Sequence, residues 1–156
     1  MRFGLDPEHV GAAARARREL HAYVELHIEQ GPVLEQQSLP VGVVTAISGA
    51  TRLAANLTGM AGHAGTVPMA LRRDALAGAA ECIVAVEEFC KTHDAGLVGT
   101  VGAITALPGA TNVIPGRVSF TLDIHGADCR CVAEEVANHL TSGEIPPDQR
   151  VVVRAG

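Results

Sequence analysis

The chain is 156 residues long and 47% hydrophobic, enough for one domain with a real core, or for one domain with part of a second. A net charge of −5 and an aromatic content of 3% leave neither a basic footprint nor a stacking platform for nucleic acid, so that partner is excluded. Met1 to Pro7 lacks a basic-then-apolar leader pattern, and no apolar run approaches the ~20 residues of a membrane helix, so the expectation is a soluble cytoplasmic protein without a membrane partner.

In chain order, Asp6-Pro7 is a helix start, with Asp as cap and Pro at the first helical position. The Ala- and Arg-rich run from Glu8 to about Tyr23 is predicted as a helix with a thin apolar stripe. From Tyr23 to Glu29, Leu26 and Ile28 alternate with Glu25, His27 and Glu29, which predicts a strand over Glu25 to Gln30 with the polar trio on one face and Gly31-Pro32 as its stop. A short helical turn over Val33 to Gln36 follows, closed by Leu39-Pro40. From Val41 the texture turns to strand, through Val43, Val44 and Ile47, up to a hinge or turn at Ser48-Gly49.

Arg52 to Gly59 alternates as a half-buried strand. A loop of small residues from Met60 to Pro68 then leads into a long helix whose apolar residues Leu71, Ala75, Ala79, Cys82, Ile83, Val86 and Cys90 recur at three and four, with a break at Asp94 to Gly96. Leu97 to Leu107 reads as a strand. After the loop Ala110 to Gly116 comes the clearest strand, with Val118, Phe120, Leu122 and Ile124 inward and Arg117, Ser119, Thr121, Asp123 and His125 outward. These two long strands are expected to pair antiparallel. A second helix is expected from about Asp128 to Leu140 and a last short strand over Val151 to Arg154.

From about residue 50 the order is therefore strand, helix, strand, strand, helix, strand. That is the α+β, ferredoxin-like βαββαβ arrangement, a four-stranded antiparallel sheet with two helices on one face. It occupies residues 48–156, and residues 1–47 read as a helix-strand fragment of another, α/β domain plus a hinge.

Several residues could carry chemistry. His27, flanked by carboxylates and Gln30, suits a metal ligand or a general base, although an exposed edge strand would look the same. His63 sits in a flexible loop that can bring an imidazole to a ligand, and Asn112 lies in a turn where an Asn commonly bonds its own backbone. His125, two residues after Asp123 on the polar face, could pair with that carboxylate. The pairs Glu87-Glu88 and Glu134-Glu135 read as solvated helix faces. The four cysteines at 82, 90, 129 and 131 lack zinc-knuckle spacing and read as reduced thiols, and the set His125, Cys129, Cys131, His139 has the wrong spacing for a metal.

The runs Glu-Leu-His-Ile-Glu-Gln-Gly-Pro-Val-Leu-Glu from Glu25, Gly-His-Ala-Gly-Thr-Val-Pro-Met from Gly62, Arg-Arg-Asp-Ala-Leu from Arg72, Thr-Asn-Val-Ile-Pro-Gly from Thr111 and Phe-Thr-Leu-Asp-Ile from Phe120 occur in order over about residues 20 to 140. Together they resemble the signatures of the amidase/hydantoinase/carbamoylase branch of the M20 metallopeptidase-like family, which includes N-carbamoyl-L-amino-acid hydrolases and allantoate amidohydrolases. The resemblance implies a catalytic α/β domain with two divalent metals, zinc or manganese, and an inserted ferredoxin-like lid that forms a homodimer. Such a site hydrolyses a carbamoyl or ureido C–N bond of a small-molecule substrate. The resemblance makes His27 a metal ligand and Gln30 a substrate-contacting amide. It makes His63 the lid histidine that stabilises the oxyanion in the partner subunit's site, and Asn112 a holder of the substrate carboxylate.

The chain also departs from that pattern. Asp123-Ile124-His125 stands where the family has Asp-x-Arg, and an imidazole cannot reproduce the two-donor fork of a guanidinium on the substrate carboxylate. The family's remaining metal ligands, an upstream His-x-Asp, an upstream Glu-Glu and a downstream His, are not in this sequence. Two metals are therefore not expected to be fully bound by this chain, and the expectation is a lid and dimerisation part that is inactive alone. The alternative is a free-standing dimerisation or binding module derived from such an enzyme.

Overall fold

The computed structural model describes residues 6–93, 96–126, 134–135, 137–138 and 150–155, the last six for their backbone course. The chain divides into two compact units, Met1–Val44 and Thr45–Gly156.

The first unit contains little regular structure. Asp6 does cap Pro7 as expected, its side chain accepting from the Glu8 N–H at 3.1 Å, but the helix is a 3-10 segment that stops at Ala13, with a further 3-10 turn over Arg17–Glu19. The helix expected to reach Tyr23 therefore does not form. Its thin apolar stripe buries nothing among the described residues, and propensity alone does not sustain a short helix in water. The strand expected over Glu25 to Gln30 is absent as well, and so is the one from Val41 to Ile47. A strand exists through its ladder of partners, and among the described residues none pairs with these runs. Leu26 and Val43 are consequently 95% and 91% exposed. The helical turn over Val33–Gln36 (α1) forms as expected.

The second unit is built on a four-stranded antiparallel sheet. Its strands are β1 (Gly49–Thr58), β3 (Val98–Leu107), β5 (Arg117–Gly126) and β6 (Arg150–Ala155), in the order β3-β5-β1-β6. Gly49, expected in a turn, is the first residue of β1, because it pairs with Gly126 and the ladder runs on to Thr58 opposite Arg117. The expected antiparallel pairing of the two long strands is β3 against β5, with a register shift between Val101 and Ala103. A small second sheet joins β2 (Gly62–His63) to β4 (Val113–Ile114).

Alternation decides what the main sheet buries. Val118, Phe120, Leu122 and Ile124 are at most 2% exposed and meet Leu53, Ala55 and Leu57 on one face. Helix α2 (Ala75–Thr92) covers that face with Ala75, Gly78, Ala79, Cys82 and Val86. Leu71 is not on the helix. It lies in a 3-10 turn over Met69–Leu71 and is exposed, because Asp74 sets the helix start by accepting from the N–H groups of Leu76 (2.9 Å) and Ala77 (3.3 Å). Removing that cap with Asp74→Ala should lower unfolding stability by about 1 kcal/mol, measured by urea denaturation. The second expected helix, from Asp128 to Leu140, lies outside the described residues apart from four positions. Among the described residues no helix is long and apolar enough to cross a membrane.

The α2 thiols fit the expectation of reduced cysteines: Cys82 is buried, Cys90 partly so, and neither is in a disulfide. Burial, with the neighbouring Glu81 carboxylate, raises the Cys82 thiol above its ordinary 9.0. A raised value in the folded state means that this contribution to stability is complete below about pH 9 and is lost as pH climbs through the raised value. Thermal melts between about pH 7 and pH 10 should show that decline, and Cys82→Ala should flatten it. Glu87 and Glu88 are solvent-facing as read, both paired with Lys91, at 2.6 and 3.7 Å.

Candidate functional site

His63 and Asn112, forty-nine residues apart in sequence, are brought together by the small sheet. His63 pairs with Val113, and the Ala64 N–H donates to the Asn112 carbonyl at 2.9 Å. Both side chains are exposed. Among the described residues the Asn112 amide makes no side-chain hydrogen bond, so it is not spent on its own backbone as a turn asparagine commonly is. The His63 ring is more constrained. The Gly65 N–H donates to its Nδ1 at 3.0 Å, and the Thr66 and Val67 N–H groups donate to its carbonyl at 3.3 and 3.2 Å. A backbone N–H can only donate, so Nδ1 carries the lone pair and the ring proton of the neutral imidazole belongs on Nε2.

Two glycines let this loop sit against its neighbours. A Cβ on Gly59 would lie 2.1 Å from the Arg73 carbonyl oxygen, and one on Gly116 would lie 2.8 Å from the Ala61 nitrogen. Through that close approach the Gly59 N–H reaches the Gly116 carbonyl (2.9 Å), the Met60 N–H reaches Arg73 (2.7 Å), the Ala75 N–H reaches Pro115 (3.0 Å) and the Gly116 N–H reaches Leu107 (3.0 Å). The loop base is thus held by main chain from several directions.

His125 is not part of this group. It stands near the far end of β5, eight residues beyond Arg117 and so about 26 Å along the strand from the end that carries the loop. There it pairs with Asp123 as the sequence suggested, Nε2 to Oδ2 at 3.3 Å, and Arg52 approaches the other carboxylate oxygen at 3.6 Å from its register position opposite Asp123. The Asp123 Oδ1 atom is buried without a hydrogen bond, so this ion pair is its compensation.

In the first unit His27 is exposed and not at a strand end. Its Nδ1 contacts the Ile28 carbonyl, which leaves Nε2 as the ring nitrogen open to a ligand, as is common for metal-ligating histidine. The surrounding carboxylates are otherwise engaged. Glu25 accepts from the Tyr23 hydroxyl at 2.9 Å, and Glu29 accepts from the N–H groups of Val33 and Leu34 at 3.0 to 3.2 Å, tying down the start of α1. Gln30 is held with φ at +58°, a left-handed conformation that a non-glycine residue adopts at some cost. Among the described residues no three His, Cys, Asp or Glu side chains converge on a point. One imidazole without converging partners does not fit a two-metal site.

Two residues near these positions had no assigned role from sequence. Arg52 becomes visible only through the β1–β5 register. Arg72 opens the Arg-Arg-Asp-Ala-Leu run, yet its contacts to the Ala64 and Val67 carbonyls depend on how the loop folds back.

Solved hydantoinase/carbamoylase family amidases share this fold. The solved example from Burkholderia ambifaria matches 83% of this chain and 32% of its own, with TM-score 0.78 at 29% identity. The one from Burkholderia multivorans covers the same 83% and 32%, with TM-score 0.76 at 34% identity. Among curated proteins the chain is 50% identical over 123 residues to an N-carbamoyl-L-amino-acid amidohydrolase of Pseudomonas sp. (strain NS671), covering 78% of this chain and 30% of that one. It is 48% identical over 124 residues to an allantoate deiminase of Arabidopsis thaliana, covering 68% and 24%. No family model matches the chain. On these likenesses the chain belongs to the amidase/hydantoinase/carbamoylase branch of the M20-like family. It spans about a third or less of the length of the curated relatives it matches.

Proposed function

We propose that this chain is the lid and dimerisation part of a dinuclear-metal amidohydrolase that cleaves C–N bonds of N-carbamoyl-L-amino acids or allantoate-like ureido substrates. The observation that carries the reading is the joint presentation of His63 and Asn112 from the loop at one end of the sheet. A ferredoxin-like lid is supported by the strand order β3-β5-β1-β6 and by α2 on one face. In the reaction His63 donates from Nε2 to the oxygen that becomes negative as the carbamoyl carbon turns tetrahedral. The Asn112 amide holds the substrate's carboxylate end, and Gln30 is, by the same resemblance, a substrate-contacting amide. His125, which stands where the family's Arg would hold a substrate carboxylate, is paired with Asp123 about 26 Å along β5 from His63 and Asn112, so within one chain it does not share a small substrate with them. Since the residues here do not make a two-metal site, a zinc or manganese pair in the assembled enzyme would take at most one ligand from this chain, His27, and would supply an activated water for the hydrolysis.

The homodimer is proposed to form through β3. This edge strand, from Val98 to Leu107, carries no charged residue, and Val98, Ile104 and Leu107 are 61%, 47% and 49% exposed. A long uncharged edge offers a full row of backbone groups to a second copy. The alternative, a free-standing binding module, leaves the exposed apolar side chains of Val24, Leu26, Ile28, Val41, Val43 and Val44 without a body to cover them.

The chain alone, with added zinc or manganese, should release no ammonia from N-carbamoyl-L-amino acids or from allantoate, and turnover by the pure chain would overturn the assignment. Sedimentation should give a dimer that Ile104→Lys converts to a monomer with an intact circular-dichroism spectrum. A wild-type monomer at tens of micromolar would sink the dimer reading.

A further inference from the structure

The hydrogen-bond network around the His63 loop has a member that the catalytic reading leaves unused. Arg72 is half-buried, directly before the Arg73-Asp74 start of α2. Its guanidinium folds back on the loop, with Nε donating to the Val67 carbonyl at 3.1 Å and a terminal nitrogen donating to the Ala64 carbonyl. Ala64 and Val67 bracket Gly65, whose N–H is the donor to His63 Nδ1, and Val67 also donates to the His63 carbonyl. One planar, permanently charged group therefore holds the carbonyl of the Ala64–Gly65 peptide, whose own N–H orients the ring, and the Val67 carbonyl two residues beyond Gly65. A Cβ at Gly65 would come within 3.2 Å of the His63 ring carbon Cε1, so the ring and the turn are already in close contact. Small rotations of the Ala64–Gly65 peptide would move the Gly65 N–H off Nδ1.

We propose that Arg72 is a positioning residue: by clamping the Ala64 and Val67 carbonyls it aims the Gly65 N–H at His63 Nδ1 and so selects the tautomer with the proton on Nε2, the outward donor. The functional meaning of that donor rests on the oxyanion role assigned to His63 above, but the tautomer and its cause do not. Without the clamp the turn is free to rotate, Nδ1 loses its fixed donor, and the ring exchanges between its two neutral forms. A loop that has lost its clamp still closes the small sheet through the Ala64 N–H to Asn112 bond. The defect is therefore one of ring chemistry more than of fold. Lysine at this position supplies a point charge with one reach, and holds one carbonyl at a time.

The experiment is long-range proton–nitrogen correlation NMR on the uniformly nitrogen-15-labelled 156-residue chain, combined with amide exchange. For the wild type, the expected result is an unprotonated Nδ1, a protonated Nε2 and a protected Gly65 amide. A wild-type ring protonated on Nδ1 would overturn the proposal with no variant needed. Arg72→Ala should bring the two ring nitrogens towards a common averaged shift and speed Gly65 exchange by about tenfold or more, while the β1 and β5 amides keep their protection. Arg72→Lys should fall between the two. Unchanged His63 nitrogens and Gly65 exchange in a folded Arg72→Ala chain would refute it, and if that variant does not fold, the same comparison is made on Arg72→Lys. Should His63→Ala leave turnover of the assembled enzyme unaffected, the oxyanion reading falls and the positioning result stands by itself.

Discussion

Gly59→Ala is expected to destabilise the second unit by at least about 3 kcal/mol, a large share of the roughly 5 to 15 kcal/mol that holds a small domain together. The added methyl would sit 2.1 Å from the Arg73 carbonyl oxygen and 2.9 Å from the Ala75 nitrogen. Both atoms are main chain, so no side chain can swing aside. Relief requires the end of β1 and the start of α2 to separate, and that breaks the Met60-to-Arg73 and Gly59-to-Gly116 hydrogen bonds. Gly102→Ala is the matching control, because its new methyl would meet only the Thr121 hydroxyl, at an ordinary 3.7 Å, and the change should stay within about 0.5 kcal/mol. Urea melts of the two variants side by side check the difference, and equal midpoints would contradict the packing argument.

His63→Ala, made in the enzyme assembled with its catalytic portion, should lower kcat by about 10²- to 10³-fold, the usual loss on removing one donor from an oxyanion site. KM should change little, because the donor meets charge that develops only in the transition state. His63 is exposed and none of its side-chain bonds lies in the core, so the melting temperature should not move. A fall confined to KM would instead make His63 a ground-state contact. Asn112→Ala gives the contrasting pattern, acting mainly on KM if its amide holds the substrate's carboxylate.

The readings that succeeded from sequence are those whose cause is local or repetitive. The alternation in β5 names its buried face because period two leaves no other choice, and α2 is legible from its three-four spacing. Asp74 also marks the helix start better than the apolar Leu71 does, since a cap supplies hydrogen bonds that a stray apolar residue cannot. Where the cause is distant, the pattern misleads. Glu25 to Gln30 alternates as well as many strands do, but alternation states which faces a strand would have, not that a partner is present. Of the candidate site residues, the sequence could nominate His63 and Asn112 separately. Only the β2–β4 pairing brings the strand residue His63 beside the turn residue Asn112, and only the β5 register puts His125 at the other end with Arg52 beside Asp123.

The main-chain bonds among Gly59, Met60, Arg73, Ala75, Leu107, Pro115 and Gly116 specify a scaffold with almost no reference to the side chains at the loop tip. A protein engineer can treat that tip as an exchangeable cassette. Randomising Thr66 and Thr111 while retaining the two crossing glycines, Ala61 and Arg72 gives a library in which the platform is constant and only the side chains the loop exposes vary.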